Sequence, residues 1–325
     1  MAAKTIKDVA ARAGVSAITV SRVVNHSGYV NADTRARVET AIRELQYIPN
    51  GVASMLRSRQ SDTLALLLPT ITNSFWTTIA RGVEDEAGAQ GYSVFLCNTD
   101  DDPVKEARYF AALTRHRVAG IVIVPTAGSG PQLRQVPIPF VQVHRVVDGL
   151  EADTVRADGY GGTLAVVQHL LGKGFRRIGF IGRKLVFAQD RERLAAYHDA
   201  LAAVGVPADP HLVALGTHGV ARGRDLMNEL LAANPRPDAV VIGNSRLALG
   251  ALAAAAHAGV RVPDDLAVAA FYDINALDEV APHLTTVAQP AYEIGRQGVR
   301  RLLERVRGER ADRSEDVLEN RLHLR

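Results

Sequence analysis

Short apolar runs alternate with amphipathic helical segments from Thr63 onward, and this alternation constrains the fold more than any other feature of the chain. Each apolar run has the length of a buried β-strand, whereas the segments between them have a helical pattern. In the first half the predicted strands are 64–68, 92–96, 120–124 and 140–143, and the predicted helices are 75–90 and 103–115. Such βαβ alternation predicts a parallel sheet with helices on both faces.

The alternation starts again at Gly161. The predicted helices of this second half are 161–171, 191–203, 221–232 and 247–258, and the predicted strands are 177–181, 212–215, 239–242 and 266–270. Two successive open sheets predict two similar lobes with a cleft between them. A last helix, 292–307, and the apolar pair Val317–Leu318 follow, and the alternation does not indicate which lobe they join.

The first 25 residues predict two short helices that meet at a sharp turn. Apolar residues recur at helical spacing in both, at Ile6, Val9, Ala10 and Ala13 in the first and at Val20, Val23 and Val24 in the second. Gly14 lies at the turn, where a Cβ is often strained, and the Ser16 hydroxyl is placed to cap the second helix. Polar and basic residues on the free face favour a DNA-binding helix-turn-helix over an ordinary pair of packed helices.

A third helix is predicted after Asn31, which together with Asp33 is a candidate cap. Its apolar stripe is Val38, Ala41, Ile42 and Leu45. Three helices would close a small core, and Pro49 disfavours continuation of the last one. Residues 1–60 carry nine lysine and arginine residues against four acidic residues, whereas the rest of the chain is nearly neutral. A basic head on a neutral body points to a polyanionic partner for the head alone.

Composition excludes several classes of protein. The chain has 325 residues, of which 47% are hydrophobic, and this is enough to bury more than one core. Its single cysteine, Cys97, excludes an intramolecular disulfide and ends an apolar run, where a small buried hydrophobe is expected. The sequence shows neither an apolar stretch of transmembrane length nor a signal peptide. We therefore expect a cytoplasmic, nucleoid-associated location and no membrane partner.

The start of the chain resembles the lactose-repressor (LacI/GalR) family of bacterial transcription regulators. The matching segments are 6–10, 14–16, 19–23 and 47–50 together with Asn25, and the resemblance spans essentially the whole chain. It implies an α/β fold in which a three-helix helix-turn-helix head and a hinge helix precede a periplasmic-binding-protein-like core of two parallel-sheet, Rossmann-like lobes. The implied domains are 1–48, 49–61 and 62–325, with the first lobe at 62–158 plus 291–325 and the second at 159–290.

The resemblance also implies which residues contact DNA. Base contacts fall to Ala17, Ile18 and Arg22, of which only Arg22 can make a bidentate contact to a guanine edge. Phosphate contacts fall to polar residues that are also candidate caps or turn residues, namely Thr5, Ser16, Ser21, Asn25, Asn31 and Thr34. The predicted DNA-binding set is completed by Thr19, Tyr47, Asn50, Ala53 and Leu56. Because one head is small, we expect a homodimer on a near-palindromic operator.

The segment 49–61 is implied to be a hinge helix that orders on operator DNA. Leu56 matches the leucine that the family inserts into the minor groove, where an apolar wedge bends the duplex. Packing within the linker is the alternative interpretation of Leu56. Gly51 weakens this helix by about 1 kcal/mol relative to alanine. Folding of the hinge is therefore expected to depend on DNA and on the dimer.

Effectors of the family, sugars and purines, bind between the lobes at the carboxyl ends of the strands, as ligands do in open α/β sheets. The matching residues here are Phe75, Trp76, Gln142, Phe187, Gln189, Arg193, His218, Asn244, Tyr272, Asp273 and Gln289. Trp76 is suited either to stack on a sugar or to pack in a lobe core. Arg193 offers a fork of donors to hydroxyls or a carboxylate, with Arg191 or a surface salt bridge as the competing interpretations.

One position departs from the family pattern. Family members often carry paired acidic residues after the fifth strand of the second lobe, and the first of the pair holds effector hydroxyls. Alignment without a gap puts Tyr272 at that position and Asp273 beside it. Because tyrosine lacks the carboxylate acceptor and fills space, we expect a smaller or anionic effector, unless Asp273 contacts it after a local shift.

The sequence predicts a DNA-binding regulator under effector control, a repressor or, with the sign reversed, an activator or a regulator with a corepressor. No nucleotide-binding glycine motif, zinc-protease motif or metal-ligand spacing of histidines is present, so we expect neither an enzyme nor a cofactor or metal. An enzyme on the same lobes and a solute-binding protein for transport are the rival hypotheses. The tail after Val317 has no clear heptad repeat, which favours a dimer over a tetramer.

Overall fold

The computed structural model describes residues 4–24, 27–47, 61–271 and 284–325. The chain divides into two units, Met1–Ser61 and Asp62–Arg325, and each is described by itself. Several residues with predicted roles lie outside the described ranges, namely Asn25, Asn50, Gly51, Ala53, Leu56, Tyr272 and Asp273. The hinge helix and the altered effector position therefore remain predictions.

The described part of the head contains three helices, α1 (Ile6–Ala13), α2 (Ala17–Val24) and α3 (Ala32–Leu45). Their shared core consists of small buried residues, Val9, Ala10, Ala13, Val20, Val23, Val38 and Ala41. The turn between α1 and α2 passes through Gly14, whose φ of +65° is a left-handed conformation that favours glycine. The Arg37 guanidinium of α3 donates to the Ala13 carbonyl at 2.5 Å and so places a cation at the negative end of α1.

Side-chain caps determine where the second and third helices begin. Ser16 accepts a hydrogen bond from the Thr19 amide at 3.2 Å, as its position before α2 predicts. Asn31, rather than Asp33, caps α3 and accepts from the Thr34 amide at 2.8 Å. Both contacts satisfy amide groups that the first turn of a helix leaves without a partner.

The second unit is built from strands and helices in alternation. Its strands are β1 (Thr63–Leu68), β2 (Ser93–Asn98), β3 (Gly120–Ile123), β4 (Phe140–Val143), β5 (Asp153–Ala157), β6 (Ile178–Arg183), β7 (Val213–Gly216), β8 (Ala239–Ile242), β9 (Ala267–Phe271), β10 (Thr285–Ala288), β11 (Glu315–Leu318) and β12 (Arg321–His323). Its helices are α4 (Ser74–Ala89), α5 (Pro103–His116), α6 (Gly130–Leu133), α7 (Gly159–Gly172), α8 (Ala188–Ala203), α9 (Val220–Leu231), α10 (Ser245–His257) and α11 (Ala291–Val306).

Within the described residues these strands form two six-stranded sheets, one per lobe. The order is β11-β5-β4-β3-β1-β2 in the first sheet and β12-β10-β9-β8-β6-β7 in the second. Neighbouring strands are parallel except for β12, which runs antiparallel to β10. The predicted α/β fold with two lobes of parallel sheet is thus confirmed. The chain passes between the lobes after β5, after β10 and after β11.

The end of the chain differs from the predicted lobe boundaries. The resemblance assigns 291–325 to the first lobe, but β12 pairs in the second sheet, where Leu322 lies opposite Val287. This correction has a physical reason, because the edge of β10 presents unpaired amide and carbonyl groups that a short extra strand satisfies. Strands β5, β10 and β12 are also missing from the elements that the sequence patterns predict.

The central strands of each sheet are buried on both faces. In β1, Leu64, Leu66 and Leu68 pack in one hydrophobic cluster, and Ala65 and Leu67 pack in another on the opposite face. Strand β8 divides its side chains between two clusters in the same way. Burial on both faces explains why the strand sequences are continuously apolar rather than alternating.

In each lobe, glycine permits the close contact of one pair of helices. A Cβ on Gly82 of α4 would overlap the Tyr292 carbonyl oxygen of α11. A Cβ on Gly250 of α10 would overlap the Val220 carbonyl oxygen of α9. The helix pairs are therefore closer together than any other residue would permit at these two positions.

Candidate DNA-binding surface and effector cleft

Helix α2 presents one face away from the core of the head. Val20 and Val23 are buried, whereas Ile18 is 68% exposed and Arg22 is also exposed. Side chains on such a face are available to the edge of a DNA groove, as the predicted base-reading role requires. Ala17 is half-buried, so Ile18 and Arg22 are the accessible members of the predicted base-reading group.

Several predicted phosphate contacts have a structural role within the head. The Thr5 hydroxyl accepts from the Asp8 amide and lies 2.9 Å from the Asp8 carboxylate, so both of its hydrogen-bonding functions are engaged. Asn31 caps α3 through its carbonyl oxygen and keeps its amide group as a donor. The remaining described members of the DNA-binding set, apart from exposed Ser16, are half-buried, namely Thr19, Ser21, Thr34 and Tyr47. A phosphate contact by Thr5 would therefore disturb its cap, whereas Asn31 can cap α3 and still donate to a phosphate.

A cleft lies between the lobes of the second unit, at the carboxyl ends of strands from both sheets. The described residues enclose a volume of about 280 Å³ there. Helices α4, α8 and α10 begin at this cleft, since residues of their first turns line it. Helix N-termini offer free amide groups and a partial positive charge, which favour electron-rich ligand atoms.

Most of the predicted effector residues line this cleft, namely Phe75, Trp76, Gln189, Arg193, His218, Asn244 and Gln289. Gln142 does not, because it is fully buried and its Oε1 accepts from the Val147 amide at 3.0 Å, which fixes the loop after β4. Phe187 lies behind the lining, where its ring contacts two guanidinium groups, those of Arg145 and Arg183. For Gln142 and Phe187 the structure thus gives packing roles instead of direct contact with the cleft.

An aromatic wall covers the side of the cleft that belongs to the first lobe. The rings of Phe75, Trp76 and His144 lie edge to face, with centroids 4.8 to 5.1 Å apart. Trp76 is only 7% exposed and belongs to the lobe core, so core packing and contact with the cleft both apply to it. Burial, with the nearby charges of Arg193 and Arg145, holds the pKa of His144 well below its usual value. The imidazole is therefore neutral near pH 7.

Arg193 is a buried cation in the second lobe, only 5% exposed. Its Nη1 donates to the Gly243 carbonyl at 2.9 Å, and its Nη2 donates to Gln289 Oε1 at 3.2 Å. Its guanidinium carbon lies 4.1 Å from the centroid of the Phe271 ring. Burial lowers the pKa of Arg193 to about 10, so the side chain is still charged at neutral pH. Its Nε has no partner among the described residues and remains a donor for a ligand.

Arg191 forms a surface salt bridge, which was a competing interpretation in the sequence analysis. Its Nη2 donates to both carboxylate oxygens of Asp148, at 2.6 and 2.7 Å. Both side chains are largely exposed. Asp148 belongs to the first lobe and Arg191 to the second, so this surface salt bridge joins the lobes. Arg193 lines the cleft, and Arg191 does not.

Further charged residues of the cleft are not singled out by the sequence patterns, namely Asp100, Asp101, Arg145, Arg183, Asp190 and Arg246. Arg145 is buried and donates from Nη2 to Asp101 Oδ2 at 3.1 Å. Arg183 makes no hydrogen bond or salt bridge with the described residues. Their positions in the sequence could have identified three of them, because Asp101, Arg145 and Arg183 lie at or shortly after the carboxyl ends of strands.

Backbone strain and unpartnered polar atoms also concentrate at the cleft. Three non-glycine residues that line it have left-handed φ angles, 56° at Asp100, 56° at Asp101 and 65° at His144. Strain of this kind is common at binding sites. Buried polar atoms without a partner occur on Arg145, Gln189, Asp190, Arg193 and Asn244. Because such atoms are costly when left unpaired, the arrangement is suited to a polar ligand with several donors and acceptors.

The cysteine and the metal-ligating side chains of the described ranges are further candidates for a reactive site. Cys97 is buried, and burial raises the pKa of its thiol to about 11, which suits the small hydrophobe that the sequence predicts. Across the described ranges no group of three or more His, Cys, Asp or Glu side chains is placed to hold a metal ion. In the same ranges no helix is both long enough and apolar enough to cross a membrane.

Comparisons with known proteins agree with this geometry. The model of bacterial regulatory proteins of the lacI family matches residues 5–50, and that of the periplasmic binding protein-like domain matches residues 167–325. The HTH-type transcriptional regulator DegA of Bacillus subtilis (strain 168) is 33% identical over 99% of this chain and 97% of its own length.

Two solved structures have the same overall fold. The lac repressor dimer bound to operator and the anti-inducer ONPF superposes with a TM-score of 0.88 at 28% identity, covering 99% of this chain and 98% of its own. The complex of the transcriptional regulator CelR with cellobiose gives a TM-score of 0.75 at 30% identity, with 98% of both chains covered. With its helix-turn-helix head and two-lobed core, the chain is a DNA-binding transcriptional regulator and belongs to the lacI family of bacterial regulatory proteins.

Proposed function

We propose that this regulator is a cytoplasmic repressor that binds a near-palindromic operator as a homodimer, and that a sugar-like or sugar-acid effector in the cleft controls its affinity for DNA. The main support for this proposal is that both lobes contribute polar side chains to one cleft. An effector that contacts both lobes prefers one arrangement of them, and this difference in affinity is what control by a ligand requires. The cellobiose complex of CelR and the operator complex of the lac repressor support this mechanism.

The edge of the first sheet supports the homodimer. Strand β2 lies at that edge, and its Phe95 and Leu96 are 47% and 52% exposed. Large apolar side chains beside unpaired strand groups favour contact with a second copy. We expect Phe95→Asp to give a monomer in analytical ultracentrifugation, whereas Val204→Asp, on an equally exposed valine of the second lobe, leaves a dimer. A Phe95→Asp protein that stays dimeric would place the interface elsewhere.

Effector control is tested by fluorescence anisotropy with an operator selected from random DNA. A sugar or sugar acid that binds the protein should change operator affinity about 5- to 150-fold, and operator should change effector affinity by the same factor. An effector that binds without changing operator affinity would contradict the mechanism. Turnover of the added compound would instead favour an enzyme.

The base-reading role of Arg22 is tested by Arg22→Ala with the same selection. We expect relaxed preference at one base of each half-site, because a bidentate contact to guanine contributes about 1–3 kcal/mol of discrimination. The control is Arg43→Ala, on an exposed arginine of α3. Equal weakening on all DNA sequences would make Arg22 a phosphate contact. Placing the operator over a reporter promoter separates repression from activation.

A further inference from the structure

Cations exceed anions among the side chains of the cleft. The lining includes four arginines and three aspartates, namely Arg145, Arg183, Arg193, Arg246, Asp100, Asp101 and Asp190. Asp100 is paired with Lys105, whose Nζ lies 2.6 Å from its carboxylate. Asp101 is paired with Arg145. Among the described residues, Asp190 is thus left to face the charges of three arginines.

Two of these arginines meet at one aromatic ring. The guanidinium carbon of Arg145 lies 5.0 Å from the centroid of the Phe187 ring, and that of Arg183 lies 5.5 Å from it. Arg145 follows β4 of the first lobe, and Arg183 ends β6 of the second, so each lobe places one cation of the cleft lining near the same ring. Their repulsion contributes to the lowered pKa of Arg183, for which burial is the larger cause.

Neither guanidinium is fully satisfied by the protein. Arg145 is 2% exposed, and both of its Nη groups donate to Asp101, so its Nε is the one donor left without a partner among the described residues. Arg183 is half-buried and makes no hydrogen bond or salt bridge with the described residues. Buried cations are stable only when paired, and guanidinium groups bind carboxylate and phosphate through two parallel hydrogen bonds.

We propose that the effector carries an anionic group, a carboxylate or a phosphate, which binds between Arg145 and Arg183 and so joins the two lobes. This inference rests on the proposed function, because it concerns the effector of the same cleft. The hydroxyl-bearing part of the effector then contacts Gln189, Arg193 and Asn244, whose unpartnered atoms suit a polyol. Without the anion, repulsion between the two guanidinium groups opposes closure, and with it their attraction to one ligand favours closure.

The experiment compares matched pairs of ligands on the full chain at constant ionic strength. The pairs are D-glucuronate with D-glucose, glucose 6-phosphate with glucose, and ribose 5-phosphate with ribose, and inorganic phosphate and sulfate serve as fragments. Binding is measured by calorimetry and by thermal shift. We expect an anionic member to bind at least about 10-fold more tightly than its neutral partner, as charge-assisted bidentate contacts predict. A response to carboxylates alone indicates a sugar acid, and a response to phosphates alone indicates a sugar phosphate.

Three variants test whether the preference for anionic ligands arises from Arg183. Arg183→Gln should reduce the anionic-to-neutral ratio to about one, and Arg183→Lys should retain part of it, because lysine keeps the charge but loses the planar fork. Arg224→Gln, on an exposed arginine of the same lobe, is the control and should leave the ratio unchanged. Circular dichroism checks that each variant is folded.

Three results would overturn the proposal. These are equal or tighter binding of the neutral sugars, a ratio that Arg183→Gln does not change, and an absence of stabilisation by every anion including phosphate and sulfate. Operator binding separates this failure from failure of the proposed function. Release of operator by a neutral sugar would refute the anion site alone, whereas an anion that binds without affecting operator would refute effector control alone.

Discussion

The two lobes share one architecture but give the cleft different chemistry. Each has a parallel sheet covered on both faces and one helix pair in contact through glycine, α4 with α11 in the first lobe and α9 with α10 in the second. The first lobe contributes a cluster of three rings, Phe75, Trp76 and His144, beside the paired Asp101 and Arg145. The second lobe contributes the Phe271 ring and a larger polar set, which includes Arg183, Gln189, Asp190, Arg193 and Asn244. The packing that repeats between the lobes is thus independent of the residues at strand ends, which carry the chemistry of the ligand.

The largest expected effects test the packing that the lobes share. Gly295 of α11 also lies at the contact of the first lobe, where an added Cβ would overlap the Ile79 carbonyl oxygen of α4. We expect Gly250→Ala and Gly295→Ala each to lower the free energy of unfolding by about 3 kcal/mol, because the added methyl group forces two helix backbones apart. Urea denaturation followed by circular dichroism measures the loss. Fluorescence of Trp76, the single tryptophan of the chain, follows the first lobe, so it should report Gly295→Ala more strongly than Gly250→Ala.

The matched control is Gly88→Ala, also in a helix of the first lobe. A Cβ there has no neighbour within 4 Å, and the residue is exposed. Because alanine favours helix by about 1 kcal/mol over glycine, this variant should be neutral or more stable. If Gly250→Ala were as stable as Gly88→Ala, close helix contact would not be the shared device of the two lobes.

The next largest effect is a loss of effector binding when a polar residue of the second lobe is removed from the cleft. Arg193→Ala should weaken effector binding about 100-fold, because it removes a buried fork of donors to the ligand. Calorimetry with the ligand identified by the paired screen gives the change. Arg191→Ala, which removes the exposed salt bridge to Asp148, is the control and should change affinity no more than about 3-fold. Comparable losses in both variants would contradict the assignment of Arg193 as the contact to the ligand.

The aromatic wall of the first lobe should contribute less. Trp76→Leu is expected to weaken effector binding about 10-fold through lost ring contact with the ligand, and to lower stability because Trp76 also packs in the core. Phe110→Leu is the matched control, since Phe110 is buried in the other cluster of the same lobe. It should lower stability without changing effector affinity. Equal effects on binding would mean that Trp76 acts through lobe stability alone.

The smallest effect is a dependence of stability on pH. Because the pKa of His144 is lower in the folded state than its usual 6.5, the unfolded chain binds this proton more readily. The stabilising contribution is complete above pH 6.5 and decreases as pH falls below it. We expect His144→Gln to remove this decrease in urea denaturation, and His257→Gln, on an exposed helix residue, to keep it.

The same measurement tests how the lobes influence each other. His144 belongs to the first lobe, but Arg183 and Arg193 of the second lobe contribute to its lowered pKa. If the pH dependence were unchanged in His144→Gln, the lowered pKa of His144 would not be its cause.

Local patterns in the sequence were sufficient for the elements that local forces decide. The run Leu64–Leu68 forms β1 because burial on both faces selects continuous apolar residues. Ser16 and Asn31 cap the helices that follow them, because each hydrogen bond spans only three residues. Resemblance to a family then supplied the order of domains and seven of the residues that line the cleft.

Strands with polar sequences could not be predicted in this way. Residues 153–157 read Asp-Thr-Val-Arg-Ala, and this segment forms β5 because distant residues satisfy its polar groups. Asp153 is buried, and Arg305 donates to it from Nε at 2.6 Å. Strand β12 depends in the same way on an open edge of the second sheet.

The sequence by itself determined the head, the alternation of the two lobes and the region of the cleft, since hydrophobic periodicity and caps act over a few residues. Only the tertiary structure decided that Arg193 rather than Arg191 lines the cleft, and that Gln142 is buried behind it. Only the tertiary structure brought Arg145 and Arg183 to the same ring. These outcomes depend on where two separately folded sheets meet, and no local pattern encodes a contact between residues so far apart in the chain.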